Sequence, residues 1–190
     1  NPKLLIGPAT HLQWWEGVQR TQLDFFDSHL KEKNKAINFP QIKLWNLTTK
    51  NWEISVQNKT PLWNLRSEGL ASISHLEGSL VTNCGLEECS EVNLVHDPWR
   101  PIPSIGGHLS DTAGEVNRFK IDIRPDVAVF TTDPFLKAQR LEGIPTLVLE
   151  TKSDRESFDL FVALSIIPRD VENTATQLST GVIRVSKCEK

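Results

Sequence analysis

The 190-residue chain has no methionine, no tyrosine and only three cysteines. Without tyrosine, no phenol within this segment can do acid/base work. The missing methionine, with an Asn1-Pro2 start, leads us to expect a processed product or an excised piece whose catalytic partners lie elsewhere. Cys84 and Cys89 are separated by Gly85-Leu86-Glu87-Glu88, and no Cys or His pair nearby completes a zinc set. A local disulfide across that turn is open in an oxidising compartment. An odd, sparse cysteine count instead favours reduced thiols and a cytoplasmic location. Asn46-Leu47-Thr48 and Asn58-Lys59-Thr60 match the glycosylation sequon, which is too common to argue secretion.

Charge of one sign is also lacking: 24 acidic against 21 basic residues leave a net charge of −3. With no basic stripe, nucleic acid and anionic membrane are not expected as partners. No apolar run is long enough to span a bilayer, and no signal-peptide pattern opens the chain. No motif calls for a metal or other cofactor. The length suits one sizeable core, or one core plus a piece of another.

What is present is organised around Lys3-Leu4-Leu5-Ile6-Gly7-Pro8-Ala9-Thr10-His11. A short aliphatic strand broken at Gly-Pro, with an imidazole on the loop beyond, is one way to place a general base at a sheet edge. A surface loop with a spectator histidine is the other. Trp14 and Trp15 follow, and suit either a hydrophobic substrate pocket or the seam between two domains; large aromatics serve both, and the seam is preferred.

Residues 21–32 read as a helix, with Leu23, Phe26 and Leu30 on one face and Thr21/Asp24 resembling a capping box. Beyond residue 38 the period becomes two. Strands are expected over residues 41–47, 52–56, 61–65, 92–95, 126–131, 143–151, 158–167 and 181–185, with a hairpin turn at 48–51. Residues 158–167, apolar on both faces, read as a central sandwich strand. Asp97-Pro98-Trp99-Arg100-Pro101-Ile102-Pro103-Ser104-Ile105-Gly106-Gly107 is too proline-rich for a strand, and reads as a rigid crossover rather than a pocket rim. Many short strands with almost no helix after residue 36 argue a β-sandwich.

Five stretches carry a resemblance, in family order. They are Leu4 to His11; Leu23-Asp24-Phe25-Phe26-Asp27-Ser28-His29-Leu30-Lys31; Asp97 to Gly107; Arg124-Pro125-Asp126-Val127-Ala128-Val129-Phe130-Thr131-Thr132-Asp133-Pro134; and Leu178-Ser179-Thr180-Gly181-Val182-Ile183-Arg184. Together they resemble the C-terminal part of a serine hydrolase of the cocaine esterase/NonD family, whose relatives include X-prolyl dipeptidyl peptidases and α-amino acid ester hydrolases. The resemblance implies a fold that is mainly β: a jelly-roll β-sandwich, galactose-binding-domain-like, over residues 38–190. The tail of an α/β-hydrolase domain (strand, loop, helix) would precede it over residues 1–37.

The resemblance also implies that His11 is the general base of a Ser-His-Asp triad. The nucleophile and the acid would lie upstream, in an N-terminal catalytic domain that is the main expected partner. No Gly-x-Ser-x-Gly elbow occurs in the chain; Gly107-His108-Leu109-Ser110-Asp111 lacks the second glycine. Ala9 departs from the family's aromatic at that place, which alters the expected wall of the acyl pocket. Family members normally continue beyond the position of Arg184, so the sandwich is expected to be short at that end.

The expected substrate is a small ester or an X-Pro peptide, and a homo-oligomer is allowed. The alternative is a carbohydrate-binding or structural jelly-roll module, with Trp45, Trp52, Trp63 or Trp99 stacking on sugar rings. His75, His96 and His108 lie scattered in predicted turns, where solvated roles suffice.

Overall fold

Leu4-Leu5-Ile6 lacks the length to stand alone and finds its partner across a helix. In a computed structural model describing residues 3–10, 12–31, 40–56, 61–82, 91–106 and 114–186, β1 (Leu4–Ile6) pairs in parallel with β2 (Ile42–Asn46). Parallel neighbours need a long crossover. Here α1 (Val18–Leu30) lies within it. β2 then turns back on β3 (Asn51–Ile54), giving the sheet order β1-β2-β3. Asn46 makes the turn: its Oδ1 accepts from the backbone N–H groups of Thr48 (2.9 Å) and Thr49 (3.0 Å). Lys50 closes it in the left-handed region (φ 54°).

α1 begins earlier than residue 21. Gly17, at φ 84°, is the N-cap and supplies no side-chain cap. The Thr21 hydroxyl donates back to Gly17 O (3.2 Å), so the expected Thr21/Asp24 capping box does not form. Arg20–Asp24 (2.9 Å) and Asp27–Lys31 (2.7 Å) bridge successive turns.

The chain divides into two compact units, Asn1–Asn58 and Lys59–Lys190, and the sheet just described belongs to the first. Among the described residues, the second holds two small sheets. β4 (Asn64–Arg66), β5 (Gly78–Val81) and β6 (Phe130–Thr131) are ordered β4-β5-β6, the last pair parallel. β5 contains Gly78 because a Cβ there would stand 2.1 Å from the carbonyl oxygen of Val129. β7 (Ser157–Ile166) and β8 (Thr176–Ser186) form a long antiparallel hairpin with an irregularity at Leu164/Ser165. A single helical turn, α2 (Phe119–Asp122), precedes β6.

The fold is mainly β, in small sheets. Four of the expected strands come out differently. Residues 92–95 are irregular, tied down where Asn93 O accepts from the Ser72 hydroxyl (2.9 Å). Residues 143–151 run without strand pairing, and only Phe130–Thr131 of 126–131 joins a sheet. β7 is one arm of a two-stranded ribbon, not a central strand, and Phe161 on it is 55% exposed. Apolarity on both faces marks a strand, but its neighbours come from pairing that the strand does not encode.

Among the described residues, Ala71, Ile121 and Ala175 are the buried hydrophobic ones, joined by buried Ser67, Ser72 and Gln177. Gln177 ties its own strand to two distant segments. Its Oε1 accepts from Arg118 Nη1 (2.9 Å), its Nε2 donates to Ile105 O (3.0 Å), and its backbone N donates to Val116 O (2.9 Å).

Candidate functional site

The loop after β1 is short and closed on itself. Gly7-Pro8 ends the strand, and Ala9 N donates back to Gly7 O (2.9 Å). Thr10 and Gln13 then lock to one another twice: Thr10 N donates to Gln13 O (2.8 Å), and Gln13 N to Thr10 Oγ1 (3.1 Å). His11 is the second residue of that Thr10–Gln13 turn in sequence and lies outside the described residues.

Below the loop sits a run of indoles. Trp14 and Trp15 are 5.7 Å apart, Trp15 meets Trp52 of β3 edge-on at 5.3 Å, and Trp52 meets Trp45 of β2 at 5.6 Å. Trp45 and Trp52 are direct cross-strand partners, which brings them together. Lys43 Nζ stands 5.6 Å from the centre of the Trp52 ring. Gly7 has no room for a side chain. A Cβ there would come within 2.6 Å of Trp52 Cη2 and 2.8 Å of Trp15 Cε3.

An open cleft of about 200 Å³ lies beside this cluster, walled by Leu5, Trp15, Pro40 and Trp52 with Glu16 and Lys43 as its charged residues. Trp15 is half-buried on the wall, whereas Trp14 is 61% exposed. Of the tryptophans weighed for sugar stacking, Trp45 and Trp52 are half-buried in the cluster and Trp63 is half-buried elsewhere. Trp99 is 91% exposed.

Other titratable residues are engaged locally. His29 Nδ1 lies 2.9 Å from Ser28 Oγ, an arrangement that superficially resembles a nucleophile and its base. The Ser28 hydroxyl, however, donates to Phe25 O (2.7 Å), and His29 Nδ1 lies 2.8 Å from that same carbonyl. The pair serves the helix end. The His75 ring packs on Phe119 and His96 is exposed; His108 and the cysteines lie outside the described residues. Among the described residues no group of His, Cys, Asp and Glu is placed to hold a metal ion, and no helix is long and apolar enough to cross a membrane.

In the second unit the proline-rich stretch is clamped. Arg124 grips Asp126 through Nε (2.7 Å) and Nη2 (2.6 Å), and donates to the carbonyls of Arg100 and Pro101. The hydrogen bonds from Arg124 hold the Asp126 carboxyl below the usual carboxylate range, against the opposing effect of burial. Arg184 does the same for Asp159 across the β7–β8 hairpin. Fork-to-fork pairing accounts for both.

These observations define a β-rich chain opened by a parallel strand–helix–strand unit with a loop at the carboxyl end of its first strand. A family model for the X-Pro dipeptidyl-peptidase C-terminal non-catalytic domain matches residues 20–189, and the chain belongs to that family. His11, Trp14 and Trp15 precede the matched residues. No curated protein matches the chain.

Sequence reasoning singled out the Gly-Pro loop but did not connect Trp52 with it. The legible signal was Gly7 itself, a glycine at the end of an apolar strand, where another part of the chain approaches closely.

Proposed function

We propose that the chain is the C-terminal region of a serine hydrolase of the acyl-ester or X-Pro dipeptidyl-peptidase type, with His11 as its general base. The nucleophilic serine and the triad acid come from polypeptide outside these residues. The observation that carries this reading is the parallel pairing of β1 with β2 across α1, with Gly7 to Thr10 following the carboxyl end of β1. That is where open α/β sheets hold their ligands. Membership in a family of dipeptidyl-peptidase C-terminal domains supports the same parent. The sheet β1-β2-β3 lies within the unit Asn1–Asn58, so in this reading that unit, rather than residues 1–37 alone, is the last part of an α/β-hydrolase domain, and the β-rich unit Lys59–Lys190 is a jelly-roll accessory domain. The sparse, odd cysteine count fits a reducing cytoplasm.

In this mechanism His11 takes the serine proton as the hydroxyl attacks the substrate carbonyl, then returns it to the departing alcohol or amine. It next activates the water that hydrolyses the acyl-enzyme. The test is the complete hydrolase and its His11→Ala variant, assayed on p-nitrophenyl acetate and on an X-Pro p-nitroanilide. Loss of roughly four to six orders of magnitude in kcat is expected for a triad member. Equal rates for the two proteins end the proposal.

A second reading applies to residues 59–190. The matched family is described as non-catalytic, which favours an accessory role for the β-rich unit. Retention on immobilised polysaccharide separates a carbohydrate-binding role from a purely structural one.

A further inference from the structure

We infer that Trp99 is a carbohydrate platform of the second unit, stacking its indole on the face of one sugar ring; this rests on the carbohydrate-binding reading of residues 59–190. Of the four tryptophans that the sequence offers for such a role, Trp45, Trp52 and Trp63 are half-buried. Trp99 presents a whole ring, at 91% exposure.

A single exposed apolar side chain is ordinary in itself. What sets Trp99 apart is the backbone that carries it. Asp97 Oδ1 accepts from Trp99 N (2.9 Å) and Asp97 O accepts from Arg100 N (3.1 Å), closing a turn with Pro98 at its second position. Arg124 then donates to the carbonyls of Arg100 and Pro101, and both oxygens of the Asp126 carboxylate, 7% exposed, hold Arg124 in place. Pro98, Pro101 and Pro103 restrict the chain further. A ring on such a frame has little backbone freedom left to lose when a ligand covers it, which is how a small contact yields measurable affinity.

Size separates the classes of partner. A tryptophan side chain supplies roughly 200 Å², against about 800 Å² per partner in a stable protein interface. One indole face instead matches one pyranose, and its negative π-surface suits the polarised C–H groups of a sugar. Hydroxyls around the sugar need polar partners. Arg100, the next residue, is exposed, and only its carbonyl is taken up by Arg124, so its side chain brings a planar fork of donors beside the ring in sequence. A pyranose has about a dozen non-hydrogen atoms, which at the efficiency of ordinary ligands gives a dissociation constant on the order of 1 mM.

The experiment runs the complete protein in native gels cast with soluble β-glucan, xylan, galactan or starch. Retardation of the wild type is expected in at least one of them, and Trp99→Ala should bind that polymer roughly tenfold or more weakly, as when a stacked aromatic is removed. Trp99→Phe keeps a smaller platform and falls between the two. Leu136→Ala removes an apolar side chain that is 93% exposed in the same unit, and should leave the retardation unchanged. Protein carrying 5-fluorotryptophan gives a second readout. The ¹⁹F signal missing from Trp99→Phe should shift when an oligosaccharide of the retarding polymer is titrated in, and this decides the matter if Trp99→Ala does not fold.

Equal retardation of Trp99→Ala and wild type, or a Trp99 signal that does not move, overturns the inference and leaves a sugar site elsewhere in the unit. No retardation of the wild type in any gel defeats the carbohydrate reading itself, and the inference with it. Sedimentation without sugar covers the rival occupant: a wild type that self-associates where Trp99→Ala does not assigns the ring to a protein contact and overturns the inference as well.

Discussion

Replacing Gln177 with leucine keeps the approximate volume of the side chain and deletes both of its polar contacts. Gln177 is 4% exposed, and the groups it serves come from distant stretches: Ile105 of the proline-rich stretch and Arg118 ahead of α2. A hydrogen bond to a charged group contributes about 1.5–3 kcal/mol and a neutral one about 0.5–1.5 kcal/mol. Arg118 keeps its contact with Asp122 (2.7 Å), and its side chain is 13% exposed, so water restores part of the first. The expected cost of Gln177→Leu is about 2–3 kcal/mol. For a chain of this size that lowers Tm by about 5–10 °C.

The assay is urea denaturation followed by tryptophan fluorescence, with Arg118→Met and the double variant completing a cycle. A coupling of about 1 kcal/mol or more between positions 118 and 177 is expected. Gln177→Glu adds a sharper discrimination. Its carboxylate still accepts from Arg118 but faces the carbonyl oxygen of Ile105 with no proton to offer. It should therefore destabilise at neutral pH despite its attraction to the guanidinium. A Gln177→Leu variant within about 0.5 kcal/mol of wild type, or a coupling near zero, would refute the reasoning.

Gly78→Ala forces a methyl against the Val129 carbonyl and should cost at least about 1–3 kcal/mol through overpacking; retention of the wild-type urea midpoint would be the contrary result. Gly106 sits at φ 66° with a would-be Cβ 2.6 Å from Val116 Cγ2, so Gly106→Ala should also lower the midpoint. Asp126 gives a pH test. Its carboxyl is lowered by Arg124, so its contribution is present above the unfolded aspartate value of about 3.9 and is lost as pH falls through the lower folded value. The stability advantage of the wild-type protein over Asp126→Asn should then shrink from neutral pH toward pH 3 or so; a constant gap across that range would contradict the assignment.

Much of the first unit was legible in local chemistry. The stripe of Leu23, Phe26 and Leu30 located α1 within a few residues, and alternation around Lys43-Leu44-Trp45 located β2. The start of α1 was missed because Gly17 caps it through backbone conformation, leaving no side-chain signature beyond the glycine itself. The second unit was harder for a different reason. Residues 143–151 and 92–95 carry the composition of strands, but strand formation requires a partner edge, and neither stretch has one among the described residues. β5 failed in the opposite direction. Its glycine weakens any propensity signal, yet that glycine is what lets the Val129 carbonyl approach.

The same logic separates the parts of the candidate site. A Gly-Pro break after an aliphatic run marks the end of a strand from three or four residues alone, so the loop bearing His11 stood out at once. The surface beneath it did not, because it is assembled from two places in the chain: Trp15, just past the loop, and Trp52, delivered by a hairpin whose register puts it opposite Trp45. Read singly, each of these tryptophans suits more than one setting. What marks the place where two of them meet is Gly7, where a Cβ would stand within 3 Å of both indoles. A residue that must be small records its neighbours more faithfully than a large residue that fits many surroundings. The most informative residue near this candidate site is therefore the one with no chemistry of its own.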